Sequence, residues 1–161
     1  VMRILVVSDT HGSGELLQQV ILAQPNAAAV IHLGDGAREA QDMAQRFAPL
    51  PFYQVQGNCD WGMAASDLPV SRLELLGGKR VFATHGHAYD VKSGLYRAVM
   101  AAREQKADVL LYGHTHCALE DYDDGLYILN PGSLSRGSRP SYGLLDITPQ
   151  GITTRVVEVD W

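Results

Sequence analysis

Seven side chains in this sequence have the types and positions needed to hold metal ions: Asp9, His11, Asp35, Asn58, His85, His114 and His116. The densest stretch is Leu110-Leu111-Tyr112-Gly113-His114-Thr115-His116, an apolar run that stops at a glycine and delivers two histidines. In extended backbone residues i and i+2 point to the same side, so His114 and His116 can face one point. The same arrangement recurs. Ile4–Ser8 runs into Asp9-Thr10-His11-Gly12, and Val30–Leu33 into Gly34-Asp35-Gly36. Tyr53–Gln56 runs into Gly57-Asn58-Cys59-Asp60, and Val81–Thr84 into His85-Gly86-His87. Ligands of open α/β sheets bind at the carboxyl ends of the strands, where all of these residues fall. Seven ligands exceed the four of one tetrahedral zinc. They suit two ions with one carboxylate shared, and Asp35, on a glycine-flanked turn, is the expected bridge. Four histidines with carboxylate and amide oxygens favour two divalent transition-metal ions, Mn²⁺ first, with Ni²⁺, Fe²⁺, Co²⁺ or Zn²⁺ as alternatives, over Mg²⁺ or Ca²⁺. Two metals about 3.5–4 Å apart form a clamp suited to phosphoryl hydrolysis.

The elements that must position these residues follow from periodicity. Met2–Ser8, Ala28–Leu33 and Phe52–Gln56 read as strands separated by helices over Ser13–Gln24 and Ala37–Phe47. That alternation predicts parallel βαβ units. Val70–Leu76 and Arg80–Thr84 flank Gly77-Gly78 and read as a hairpin. A loop spans Gly62–Pro69, a third helix Ser93–Lys106, and a strand Asp108–Tyr112. After Cys117 come short strands over Leu119–Tyr122, Leu126–Leu129, Tyr142–Ile147 and Ile152–Val159, read as an antiparallel tail. The layout predicts two sheets packed face to face with helices outside, in a single domain spanning residues 1–161.

Composition narrows the class. With 161 residues, 46% hydrophobic and 19% charged, the chain reads as a soluble globular protein. Two cysteines are too few for a disulfide framework, no apolar run is long enough to span a bilayer and no leader pattern precedes the first strand, so the expectation is cytoplasmic. The net charge of −5 argues against nucleic acid as the main partner, although two bound divalent ions would bring the balance close to neutral. A homo-oligomer is compatible with the sequence.

Asp9-x-His11, Gly34-Asp35, Gly57-Asn58, His85 and Gly113-His114-x-His116, in this order, resemble the motif set of the calcineurin-like metallophosphoesterases. The resemblance is closest to the small bacterial and archaeal phosphodiesterases of that superfamily and extends to Asn130-Pro131-Gly132-Ser133. It implies a four-layer αββα sandwich of two mixed β-sheets flanked by helices. It also implies that Asp9, His11, Asp35 and His116 hold one metal, and Asp35, Asn58, His85 and His114 the other. The implied activity is hydrolysis of small phosphodiesters by in-line attack of a metal-bridging hydroxide, with Asn58 helping to hold phosphoryl oxygens. A phosphomonoesterase or a nucleotide or protein phosphatase with the same metals is the alternative. A non-enzymatic scaffold, like the retromer subunit of similar fold, is a third.

Many members of the wider superfamily have histidine where this chain has Cys59, so the proton donor for the leaving group is open between a thiol acid and a space-filling residue. His87 is expected near the ligands or facing phosphate, and His32 as a packed histidine with a hydrogen-bond partner. Cys117 is expected as a small buried filler. Arg136, in a loop after the Asn130–Ser133 turn, either grips a substrate phosphate or is simply solvated. Trp61 and Tyr89 are candidates for pocket walls.

Overall fold

Alternation of apolar side chains along the strands sets the layers. In β1 (Met2–Val7) the side chains of Ile4 and Val6 enter one core, and Leu5 and Val7 enter another on the opposite face. The computed structural model describes residues 1–62, 65–137 and 139–160. The expected loops at 62–69 and 133–140 therefore lie partly outside the described residues, at Met63, Ala64 and Ser138.

β1 pairs in parallel with β2 (Ala29–His32), and β2 with β3 (Phe52–Gln54). On its other edge β1 pairs antiparallel with β9 (Ser141–Thr148), which forms a hairpin with β10 (Gly151–Glu158). The first sheet thus runs β10-β9-β1-β2-β3. The outer face of this sheet is covered by α1 (Gly14–Ala23) and α2 (Ala37–Arg46), whose Leu16, Leu17, Val20, Ile21 and Met43 pack with Leu5, Val7 and Val30.

The second sheet contains β4 (Ser71–Leu76), β5 (Lys79–Thr84), β6 (Val109–Leu111), β7 (Leu119–Asp123) and β8 (Leu126–Asn130), in the order β4-β5-β6-β8-β7. β5, β6 and β8 are parallel, and the two edge pairs are antiparallel. The outer face packs Phe82, Leu110 and Ile128 against Ala98 and Ala102 of α3 (Tyr96–Glu104). Between the sheets, Ile4, Val6 and Ile31 meet Val81, Val109, Leu111 and Leu129. The result is the expected αββα sandwich. Each fully buried leucine in its cores contributes about 1.5–3 kcal/mol.

Two expectations change. The segment after Cys117 does not form one antiparallel unit. β7 and β8 join the second sheet, with β8 parallel to β6, while β9 and β10 extend the first. The third helix begins at Tyr96, not Ser93, because Gly94 has φ +136, outside helical backbone, and a separate 3₁₀ turn covers Val91–Ser93.

Candidate metal centre

The backbone first aims the ligand-type side chains. Asp9, His11, Asp35, His114 and His116 all have positive φ, between 43° and 70°. Such backbone costs of order 1–3 kcal/mol per non-glycine residue and persists only where surrounding structure enforces it. Its effect is to turn each chain sharply at the strand end, so that the side chain points across the crevice between the two sheets. The loops are tied together by backbone bonds that continue past the strands: Asp9 N donates to Gly34 O (2.9 Å), His11 N to Asp35 O (3.0 Å) and Gly113 N to His85 O (2.9 Å). The approach is so close that a Cβ at Gly57 would run into Asp35 Oδ1, and one at Gly113 into Ser8 Oγ.

Two groups of candidate ligand atoms result. In the first, His116 Nε2 lies 3.1 Å from Asp9 Oδ1 and 3.3 Å from His11 Nε2. In the second, His85 Nε2 lies 3.3 Å from Asp35 Oδ2 and 3.1 Å from His114 Nδ1, with Asn58 Oδ1 at 3.0 Å. The groups adjoin: Asp9 Oδ1 is 3.8 Å from His85 Nε2, and Asp35 Oδ2 is 3.9 Å from His11 Nε2. An oxygen of each aspartate, not Asp35 alone, therefore lies between the groups.

The donor set fits a cation. His85 Nδ1 donates to the Leu33 carbonyl at 2.7 Å, which leaves Nε2 with its lone pair when the ring is neutral. That lone pair meets three further acceptor atoms, from Asn58, Asp35 and His114. Acceptors converging in this way repel one another unless a positive charge sits among them. Ligand bonds of about 2.0–2.2 Å put neighbouring ligand atoms roughly 2.8–3.6 Å apart, from octahedral to tetrahedral geometry, a range that includes the distances within each group above. When no ion is bound, a proton on His85 takes that place. Burial opposes ionisation of Asp35, yet its hydrogen bond to His85 and the histidine charge hold it well below the usual carboxylate range. Burial likewise opposes charge on His85, yet the bond to Asp35 and the field of Asp9 hold its pKa above the ordinary value. Burial keeps His114 and His87 below theirs.

Other side chains support the loops. Asp60 accepts four backbone N–H bonds: from Gly57 (2.8 Å) and Asp35 (2.9 Å) on Oδ2, and from Gly36 (2.9 Å) and Ala37 (3.0 Å) on Oδ1. One carboxylate thus joins the Asp35 loop to the Asn58 loop and caps the start of α2, where negative charge is favoured. Asp9 Oδ2 accepts from Ser8 Oγ (2.5 Å) and His114 N (3.1 Å), joining the ends of β1 and β6. Ser133 Oγ donates to the Asp9 carbonyl (2.8 Å), and Asn130 Nδ2 to Thr115 Oγ1 (2.9 Å), which gives the Asn130–Ser133 turn a supporting role. His32 is the packed histidine expected. It accepts from Gly34 N (3.1 Å), and its other nitrogen lies 3.0 Å from Thr10 Oγ1, which donates to Glu39 (2.8 Å).

The remaining candidates separate. His87 is half-buried, its ring centroid 5.4 Å from that of His85, and its buried Nδ1 has no hydrogen-bond partner in the structure. Cys59 is exposed beside Asp35, where its N–H donates to Asp35 Oδ1 (2.7 Å), so it does not fill a core. Cys117 is also exposed, contrary to expectation, because the left-handed turn at His116 carries the chain outward. Arg136 stands on the wall of a cleft of ≈ 830 Å³ that reaches His11 and His116, and it pairs with Glu15. Trp61 borders a smaller pocket next to Asp35 and Cys59, and Tyr89, packed edge-on to Phe82, lines a separate pocket with Asp90, Ser93 and Arg97 that includes none of the ligand-type residues. Sequence reasoning missed Asp60 and Glu39. The one available signal was the acid three residues after Gly57, placed to bond back to that glycine.

Comparison with known proteins agrees with this geometry. The chain is 35% identical over 160 residues to the probable metallophosphoesterase YsnB of Bacillus subtilis, covering 96% of this chain and 89% of that protein. It is 32% identical over 170 residues to the phosphodiesterase YfcE of Escherichia coli K12, covering 90% and 88%. The solved structure of Vacuolar Protein Sorting 29 from Cryptosporidium parvum has the same fold, with a TM-score of 0.77 at 18% identity over 99% of this chain and 98% of that one. The family model for the calcineurin-like phosphoesterase superfamily domain matches residues 2–150. No helix among the described residues is long and apolar enough to cross a membrane. By its matched length, its relatives and its paired ligand groups, the chain belongs to the calcineurin-like phosphoesterase superfamily.

Proposed function

We propose that the protein is a dinuclear metal-dependent phosphodiesterase acting on small phosphodiesters. The observation that carries this is the pair of adjoining ligand groups, Asp9–His11–His116 and Asp35–His85–His114, with a carboxylate oxygen of each aspartate between them. Asn58 completes the second group. Two divalent transition-metal ions held there supply Lewis acidity toward phosphoryl oxygens and lower the pKa of water to make a nucleophile. The protein's own part is to fix that geometry, to orient the ester through Asn58, and to offer His87 and Arg136 to the phosphate or its substituents.

The test is chelation followed by reloading with single metals. Hydrolysis of bis(p-nitrophenyl) phosphate is expected to return with Mn²⁺, Ni²⁺, Co²⁺ or Zn²⁺ and not with Ca²⁺. The diester is expected to turn over faster than p-nitrophenyl phosphate. A faster monoester would favour the phosphatase reading. Absence of hydrolysis with every metal would favour a binding scaffold, the reading compatible with the Vacuolar Protein Sorting 29 fold.

Cys59 sets the expected leaving-group dependence. Partial burial and the nearby Asp35 and Asp60 raise the thiol's pKa, so it stays protonated at neutral pH but donates weakly. General acid help is typically worth about 10²–10⁴-fold. The parent enzyme should therefore release nitrophenolate far faster than alkyl alcohols. Cys59→His is expected to flatten this dependence, and Cys59→Ser to change it little. A series of aryl and alkyl diesters checks it. A flat series in the parent, with activity lost by orders of magnitude in Cys59→Ser, would make the thiol itself the acid.

A further inference from the structure

The ≈ 830 Å³ cleft beside the first ligand group has a wall chemistry that the metal-centre reading leaves unused. Its lining includes His11 and His116, residues of α1 and α2, and the loop at residues 135–137. Glu15 and Gln18 lie one turn apart on α1, and Asp42 and Arg46 one turn apart on α2. Arg46 Nη1 donates to Gln18 Oε1 (3.0 Å), and Arg46 Nη2 lies 3.5 Å from Asp42. Arg136 reaches across from the loop to Glu15. Two carboxylates thus balance two guanidinium groups, with an amide and serine hydroxyls between them. Among the described lining residues the one apolar side chain, Met43, is 2% exposed.

Each feature excludes a ligand class. Balanced charge gives no net pull on a second anionic group. Apart from the rings of His11 and His116, which the metal-centre reading uses, the described lining exposes no apolar or aromatic side chain, so an acyl chain or a base finds little to pack on. Closely spaced donors and acceptors do suit a neutral group that both donates and accepts, and vicinal hydroxyls are such a group. The volume lies in the range of small-molecule sites, about 300–1,000 Å³.

We propose that this cleft binds a polyol arm of the substrate, a glycerol or sugar unit esterified to the phosphate held at the metal centre. The inference rests on the phosphodiesterase reading and sharpens it to a substrate class. Glu15, Gln18, Asp42 and Arg46 would then exchange bonds with one another for bonds to hydroxyls, at small net cost, because these side chains are solvated in either state.

Two measurements test it. In the first, p-nitrophenyl phosphodiesters carrying a methyl, glyceryl or hexosyl second arm are compared by kcat/KM. The polyol arms are expected to exceed methyl by about 10-fold or more, a ratio that Asp42→Ala and Arg46→Ala should bring close to one. Both positions are exposed helix sites, so folding should survive. The second measurement needs no turnover. Metal-loaded protein is titrated with glycerol 3-phosphate, a hexose phosphate and methyl phosphate, and the polyol phosphates should bind about 10-fold tighter. If diester hydrolysis fails while polyol phosphates still bind preferentially, the cleft assignment stands and the phosphodiesterase reading falls. Equal kcat/KM for methyl and polyol arms together with equal affinities would overturn the inference, as would discrimination unchanged in both variants.

Discussion

Asp35→Ala is expected to lower kcat/KM for a phosphodiester by at least about 10³-fold and to reduce metal binding at both sites. The side chain is 4% exposed as a whole residue, and its Oδ2 faces ligand histidines of both groups, His85 at 3.3 Å and His11 at 3.9 Å. Its other oxygen accepts the Cys59 N–H at 2.7 Å, which fixes the loop that carries Asn58. Removing it deletes the negative charge that lies between the two proposed ions and leaves that loop untethered. Loss of a single preorganised electrostatic contact commonly costs about 10²–10³-fold, and this residue makes several. Asp35→Asn keeps the shape and the Cys59 bond but halves the ligand quality, so it should fall between parent and alanine. Steady-state kinetics and elemental analysis of the dialysed protein check both. Alanine activity within tenfold of the parent would remove Asp35 from the centre.

Asp60→Ala is expected to cost more than its place in an exposed loop suggests, although it touches no proposed ion. Four N–H groups would lose a charged acceptor, and hydrogen bonds to charged groups are worth about 1.5–3 kcal/mol each before water replaces them. Water can reach this half-buried site, so the net loss of stability should be roughly 2–4 kcal/mol, visible in denaturant unfolding. The functional effect should be selective. Asp60 holds the loops of Asp35 and Asn58, both in the second group, and does not contact the loops of His11 or His116. Residues that orient ligands in this way typically affect metal affinity or activity by about 10–100-fold. The second site should therefore lose affinity by that factor, and the first by less, through the shared Asp35. Asp60→Asn offers one carbonyl oxygen to the same cluster and should recover part of the loss. Uniform weakening of both sites would reduce Asp60 to general scaffolding.

Much of this centre is legible in the amino-acid sequence because each apolar run ends in a short turn that carries both a glycine and ligand-type residues. Parallel strands bring their carboxyl ends to one edge of each sheet, and face-to-face packing sets the two edges side by side, so that Asp9 after β1 of the first sheet meets His116 after β6 of the second. The supporting contacts are not legible in the same way. Asp60 works because the loops after β2 and β3 approach closely enough to share one carboxylate, a distance that no spacing encodes. Glu39 lies in the first turn of α2 with nothing in the sequence to mark it, yet it takes the Thr10 hydroxyl and the Gly12 N–H. The positive φ values at Asp9, His11, Asp35, His114 and His116 are likewise unannounced, since aspartate and histidine tolerate but do not demand that backbone. The tail was misjudged because short strands with turn residues between them suggest a meander. The parallel pairing of β8 with β6 is set by the exposed, acidic β7 taking the sheet edge, which leaves the apolar Leu126–Asn130 to lie inside. Cys117 follows a strand and two ligands, and only the left-handed turn at His116 reveals that it points to solvent.

The central claim is that two adjoining sites are built from separable ligand groups. The most direct measurement is calorimetric titration of metal-stripped protein with Mn²⁺ or Zn²⁺, with bound metal per chain counted after dialysis, for the parent, His11→Ala and His114→Ala. Two ions per parent chain and about one in each variant are expected. His11→Ala should retain the site of Asp35, Asn58, His85 and His114, and His114→Ala the site of Asp9, His11 and His116. One ion or none in the parent, or equal loss from both sites in both variants, would contradict the claim.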